Sequence, residues 1–158
     1  MNNNSKNHNL SLNYIAEGDG PAVVLIHGMA ASLYTWEYQI PALVDAGYRV
    51  YAIDLLGHGD SAKPNDPEQY HINEIYHHAE DWLLSLNGEK PVTLIGHSMG
   101  SYVSLKFAHR HPQHVNRMVV FNPLYSQRQL PGVIRWASRP TARLSAKVLE
   151  LAPLWAID

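Results

Sequence analysis

A chain of 158 residues is long enough for one domain with a sizeable core, and a formal charge of −2 gives no basic footprint for nucleic acid. It has no cysteine, which excludes disulfides and thiolate chemistry without identifying a redox compartment, and no apolar run near the ~20 residues of a membrane-spanning helix. The polar start from Met1 to Asn9 lacks an export signal, so a cytoplasmic location is the default expectation.

In chain order, alternation at Leu10, Leu12 and Tyr14 predicts an early antiparallel strand, closed by the Glu17-Gly18-Asp19-Gly20-Pro21 turn. The apolar run Ala22 to Ile26 reads as a buried strand that ends in His27-Gly28-Met29. Helix periodicity follows over Tyr34 to Ala46. Arg49 to Ile53 is the next strand, running into the glycine loop Asp54-Leu55-Leu56-Gly57-His58-Gly59-Asp60-Ser61. A second helix is predicted over Ile72 to Leu86, a strand over Val92 to Ile95, a third helix over Met99 to His109, and a last strand from Met118 to Phe121, stopped by Asn122-Pro123. Strands alternating with helices predict a parallel sheet, with ligands bound at the carboxyl ends of its strands. Beyond it, Gln127 to Asp158 is basic, rich in Arg and Trp, and interrupted by Pro131, Pro140 and Pro153.

The chemistry is concentrated in Gly96-His97-Ser98-Met99-Gly100, where a strand breaks into Gly-x-Ser-x-Gly and then turns helical. A serine hydroxyl is a poor nucleophile at neutral pH, so its Oγ must be presented on a tight turn where a base can reach it. Glycines at 96 and 100 let neighbouring backbones crowd that turn. The motif alone is weak, and its context strengthens it. His27-Gly28-Met29 fits an oxyanion loop, with the backbone N–H groups of Met29 and Met99 as the two donors for the charge that grows on a carbonyl oxygen during acyl transfer.

Together these segments, with His111-Pro112-Gln113-His114-Val115 before the last strand, resemble the α/β-hydrolase superfamily, in the serine hydrolase or esterase branch that inserts a lid after the sixth strand. The resemblance runs from about Leu10 to Leu124. It implies a mostly parallel sheet with helices on both faces, a Ser-acid-His triad, and hydrolysis of esters or related bonds. Epoxide hydrolases and haloalkane dehalogenases share the framework but use Asp as nucleophile, and Ser98 argues against both.

Length is the departure from the family. Relatives carry two further strands after the lid, with the triad acid after the seventh and the histidine after the eighth. Here no Asp or Glu lies between Glu89 and Glu150, and no histidine follows His114. Where some relatives place the acid, this chain has Asn122. The expectation is therefore an N-terminal portion of a hydrolase, lacking the last two strands: core in residues 1–126 and the start of a helical lid in 127–158. Of 14 acids, 12 lie at or before Glu89, whereas 9 of 12 Lys and Arg lie from Lys90 onward. That imbalance fits either lost acids or a solvated basic lid face.

Ten histidines invite other readings. His109-x-His111 with His114 resembles a metallo-β-lactamase motif, but Gln113 stands where a carboxylate ligand is required. His77 and His78 are expected at the surface, His27 and Asp54 as loop braces, and His97 pointing away from Ser98. The reading is a serine hydrolase acting through an acyl-enzyme on Ser98, on a small ester-like or acyl substrate and without cofactor or metal. The oligomeric state is unreadable. The alternatives are a C–C bond hydrolase built from the same parts and a non-catalytic binding module.

Overall fold

Five short runs form one sheet in the computed structural model, which describes residues 11–86 and 90–123. The strands are β1 (Tyr14–Glu17), β2 (Ala22–Ile26), β3 (Arg49–Ile53), β4 (Val92–His97) and β5 (Val115–Phe121), in the spatial order β1-β3-β2-β4-β5. β1 is antiparallel to β3, and every other pairing is parallel. The first half of the predicted Leu10 to Tyr14 alternation precedes β1, and Leu10 lies outside the described residues, as does the expected lid.

β2 is apolar without alternation because both of its faces are covered, as parallel sheets require. Side chains alternate across the sheet, so Val23 and Leu25 pack against α1 (Gln39–Asp45) and the 3₁₀ turn Leu33–Trp36, together with Val50, Ala52, Leu33, Trp36 and Ile40. Val24 and Ile26 face the opposite way. They join Leu94, Ile75, Tyr76, Leu83, Val103 and Phe107 beneath α2 (Ile72–Leu86) and α3 (Met99–Arg110). Full burial of each such side chain is worth ~1.5–3 kcal/mol, so these two layers hold the strand ends in place.

Three sequence expectations are corrected. The first helix begins at Gln39, not Tyr34. A continuous helix from Tyr34 would put Pro41 in its interior, where the ring collides with the carbonyl of residue 37; beginning at Gln39 leaves Pro41 in the first turn, where no N–H is needed. The last strand begins three residues early, at Val115, and includes the exposed Asn116 and Arg117. Among the described residues it pairs only with β4, so its outward positions tolerate polar side chains. His78, expected at the surface, is buried. It lies three residues after Ile75 and next to Ala79, on the arc of α2 that faces the core, while His77 is half-buried, with Nδ1 3.2 Å from the buried Glu80. Among the described residues, no helix is long and apolar enough to cross a membrane.

Candidate active site

The carboxyl ends of β2, β4 and β5 meet at Ser98. This residue joins β4 to α3 with φ 51° and ψ −109°, a conformation that costs a non-glycine residue ~1–3 kcal/mol and persists only if its surroundings impose it. They do so through hydrogen bonds. The Ser98 N–H donates to the Phe121 carbonyl at 2.9 Å, and the Ser98 carbonyl accepts the Tyr102 N–H at 3.2 Å. The Ser101 hydroxyl lies 2.7 Å from the Gly96 carbonyl and 2.9 Å from that of Phe121, tying the same corner together.

Contacts here leave no room for side chains on the flanking glycines. A Cβ on Gly96 would stand 2.5 Å from the Gly100 carbonyl oxygen, and one on Gly100 would stand 2.1 Å from the Ile26 carbonyl oxygen. Gly28 is equally close to the nucleophile candidate: a Cβ there would lie 3.2 Å from Ser98 Cβ and 3.0 Å from His97 Nδ1. The residue after each of these neighbours is a methionine. Met29 follows Gly28 on a turn and is 41% exposed; Met99 is the first residue of α3 and is 1% exposed. Met99 follows Ser98 directly after β4, and Met29 follows Gly28, which lies against Ser98 at the end of the paired strand β2. Met99 also sits at a helix N-terminus, where N–H groups and the helix dipole favour negative charge.

Behind these loops lies a buried polar layer. Asp54 Oδ1 accepts the Leu33 N–H at 2.7 Å, and Oδ2 accepts the Asn13 side-chain amide and the Asp60 N–H, each at 2.9 Å. Gly59, with φ 49°, leaves space for that carboxylate, since a Cβ there would overlap it at 2.1 Å. Ser61 Oγ donates to the Asp54 carbonyl at 2.5 Å and accepts the Asn13 N–H at 2.8 Å. His27 lies 2.7 Å, through Nδ1, from the Gly28 carbonyl and accepts the Leu55 N–H on Nε2 at 3.0 Å. Burial pushes its pKa below the ordinary value; His58 adds to that, whereas the Gly28 carbonyl and Asp54 oppose it. Asp54 and His27 thus spend their polar atoms on the loops, which is what bracing requires.

The model of the alpha/beta hydrolase fold family matches residues 21–146, more than half of the chain. This chain belongs to the α/β-hydrolase family. The chain is 36% identical over 115 residues to the bifunctional epoxide hydrolase 2 of Rattus norvegicus, covering 72% of this chain and 20% of that one. It is 38% identical over 141 residues to a haloalkane dehalogenase of Mycolicibacterium paratuberculosis, covering 86% and 46%. Among solved structures it resembles an esterase from Exiguobacterium antarcticum, with a TM-score of 0.66 and 28% identity over 72% of this chain and 42% of that one. The chain therefore spans between a fifth and a half of the length of these relatives.

Of the candidate residues read from the sequence, Ser98 and Met99 are consecutive, Gly28, the residue before Met29, lies against Ser98, His27 bonds to the Gly28 carbonyl, and Asp54 holds the Leu33 N–H. His97 lines an apolar cavity of about 580 Å³ on the α1 face of the sheet, with Leu25, Trp36, Leu43, Ile95 and Phe121. Sequence reading missed Asn13 and Ser61, which reach Asp54 across 41 and 7 residues. It also missed Glu80, which collects Tyr76 at 2.6 Å, His111 at 2.8 Å, Arg110 at 3.1 Å and His77 at 3.2 Å. Desolvation would raise the pKa of that carboxylate, but the hydrogen bonds from Tyr76, His111 and His77 and the Arg110 charge together bring it below the ordinary value.

Proposed function

We propose that this chain is the N-terminal portion of a serine hydrolase that cleaves an ester or related acyl bond through an acyl-enzyme on Ser98. The observation that carries the reading is Ser98 itself, held at positive φ between the backbones of Gly28-Met29 and Met99. In this reading Ser98 Oγ attacks the acyl carbon as its proton passes to a histidine. The carbonyl electrons move onto oxygen, where the Met29 and Met99 N–H groups hold the charge. Collapse expels the leaving group, which takes the proton from the histidine, and water repeats the sequence to release the acid. The histidine and its acid come from sequence beyond this chain. In this reading residues 1–126 belong to the core, and the lid expected over 127–158 lies outside the described residues.

The names of the relatives raise the question of epoxide or haloalkane substrates. The nucleophile separates the chemistries. A carboxylate attacking an alkyl carbon forms an ester, which water can open; a serine attacking that carbon forms an ether, which has no acyl carbon for water to attack. Turnover on Ser98 therefore favours acyl substrates. The test is the protein extended by its native downstream coding sequence, assayed on p-nitrophenyl esters, epoxides and haloalkanes beside its Ser98→Ala variant. Ester hydrolysis that disappears with Ser98 is the expected result, and a single fluorophosphonate adduct should map to Ser98. Turnover of epoxides alone, or an adduct on another residue, would overturn the proposal.

A further inference from the structure

The Gly28–Met29 peptide is held by one side chain. His27 Nε2 accepts the Leu55 N–H, and a ring nitrogen that accepts carries no proton, so the proton of the neutral ring sits on Nδ1 and is donated to the Gly28 carbonyl. In a trans peptide the C=O and N–H point in opposite directions, and no peptide among the described residues is cis. Drawing the Gly28 oxygen toward the ring therefore turns the Met29 N–H away from it. Gly28 itself lies against Ser98, within 3.2 Å of its Cβ as measured from an added Cβ.

We propose that His27 is a positioning residue whose Nδ1-protonated tautomer, fixed by the Leu55 N–H, aims the Met29 N–H at the oxyanion position beside Ser98, and that a proton added at Nε2 disarms this donor. The proposal rests on the acyl-transfer reading above, since it concerns the donor that reading uses. Its physical content is a choice between two partners for Nε2. The neutral ring keeps the Leu55 N–H. A charged ring presents N–H to N–H there and must turn toward Asp54 Oδ1, 3.9 Å away, which already holds the Leu33 N–H. Turning withdraws Nδ1 from the Gly28 oxygen and frees the peptide plane. The other ionisable groups at this ring are His58, with ring centroids 5.2 Å apart and its own Nδ1 3.0 Å from the Leu56 carbonyl, and His97, next to Gly28. No hydrogen bond joins either of them to the His27 ring, whose two nitrogens are taken by Gly28 and Leu55, and burial opposes the charge.

Two substitutions divide the two ring nitrogens between them. Asparagine can donate from roughly the Nδ1 position and lacks the acceptor for Leu55, whereas glutamine can accept from Leu55 and lacks the donor for Gly28. In the extended protein labelled with ¹⁵N, the His27 side chain should show a protonated Nδ1 and an unprotonated Nε2 that stay unchanged between about pH 8 and 5.5, the range over which an ordinary histidine titrates. The Met29 amide resonance should keep its position in His27→Asn and move in His27→Gln. In the extended protein, His27→Asn should hold kcat within about threefold, and His27→Gln should lower it by ~10²–10³, with KM little changed. A ring protonated on Nε2, a ring that titrates normally, or a Met29 amide indifferent to His27→Gln would overturn the proposal. The wild-type tautomer decides it even if neither variant folds. An extended protein without Ser98-dependent turnover would count against acyl transfer alone, because tautomer and amide are read without catalysis.

Discussion

Ser98 sits in a backbone conformation that side chains rarely adopt, imposed by the Phe121 carbonyl and by glycines on either side. Removing one hydroxyl from such a turn takes away little packing, so Ser98→Ala should leave the melting temperature nearly unchanged. Gly100→Ala is the opposite case. Its Cβ would lie 2.1 Å from the Ile26 oxygen, so β4, α3 and β2 must part, and a loss of ~1–3 kcal/mol or more is expected in urea unfolding. At Met29 the amide is proposed to act, so Met29→Leu should change ester turnover of the extended protein little, whereas Met29→Pro removes the N–H and should cost ~10²–10³ in rate. For the 158-residue chain itself, we expect hydrolysis of p-nitrophenyl esters no faster than by its Ser98→Ala variant, since what survives without a base is the ~10³–10⁴ of binding and oxyanion effects. Robust turnover dependent on Ser98 would show that the base lies within the chain.

At the scale of elements, Glu80 fastens α2 to the end of α3 through Arg110 and to the turn after it through His111. Its pKa is lower in the folded chain than in an unfolded one. The unfolded state therefore binds its proton first on acidification. The stability this carboxylate contributes is present above its unfolded pKa of ~4.3 and is lost as pH falls through the lower folded value. His27 has the same sign, its depressed pKa making the fold lose stability as pH drops below ~6.5. Thermal melts of wild type and Glu80→Gln from about pH 7 to 3 should converge in the acid range. A gap independent of pH would show that Glu80 acts by packing alone. What the sequence made legible at this scale follows from its periodicity. β2, β3 and α2 appear where their apolar patterns put them, because burial on one or both faces writes itself into local order. The start of α1 was equally legible in Pro41, whose ring collides with the carbonyl four residues earlier in a helix interior. The Asn13 to Asp54 and Leu33 to Asp54 contacts were not, since they join loops brought together only by the order of strands in the sheet.

For the whole molecule, one edge of the sheet governs behaviour in solution. Among the described residues β5 pairs on one side only, and Val119 and Phe121 are 43% and 49% exposed. An exposed apolar edge strand is a template for other strands. The isolated chain should elute as oligomers or bind a hydrophobic dye strongly; a monomer with weak dye binding and a cooperative melt would show that this edge is covered.

The close approach of Gly96, Gly100 and the Ile26 carbonyl has a consequence for how such a molecule can diversify. Every single-nucleotide missense change in a glycine codon adds a Cβ, so the frame of this corner has no neighbouring sequence to drift into. Position 98 already carries a side chain, and its strain lies in the backbone. Mutation can thus exchange the attacking atom while the scaffold that presents it stays fixed. One corner of polypeptide can then serve chemistries as different as the names borne by the relatives of this chain, with a change of reaction being a smaller step than a change of turn.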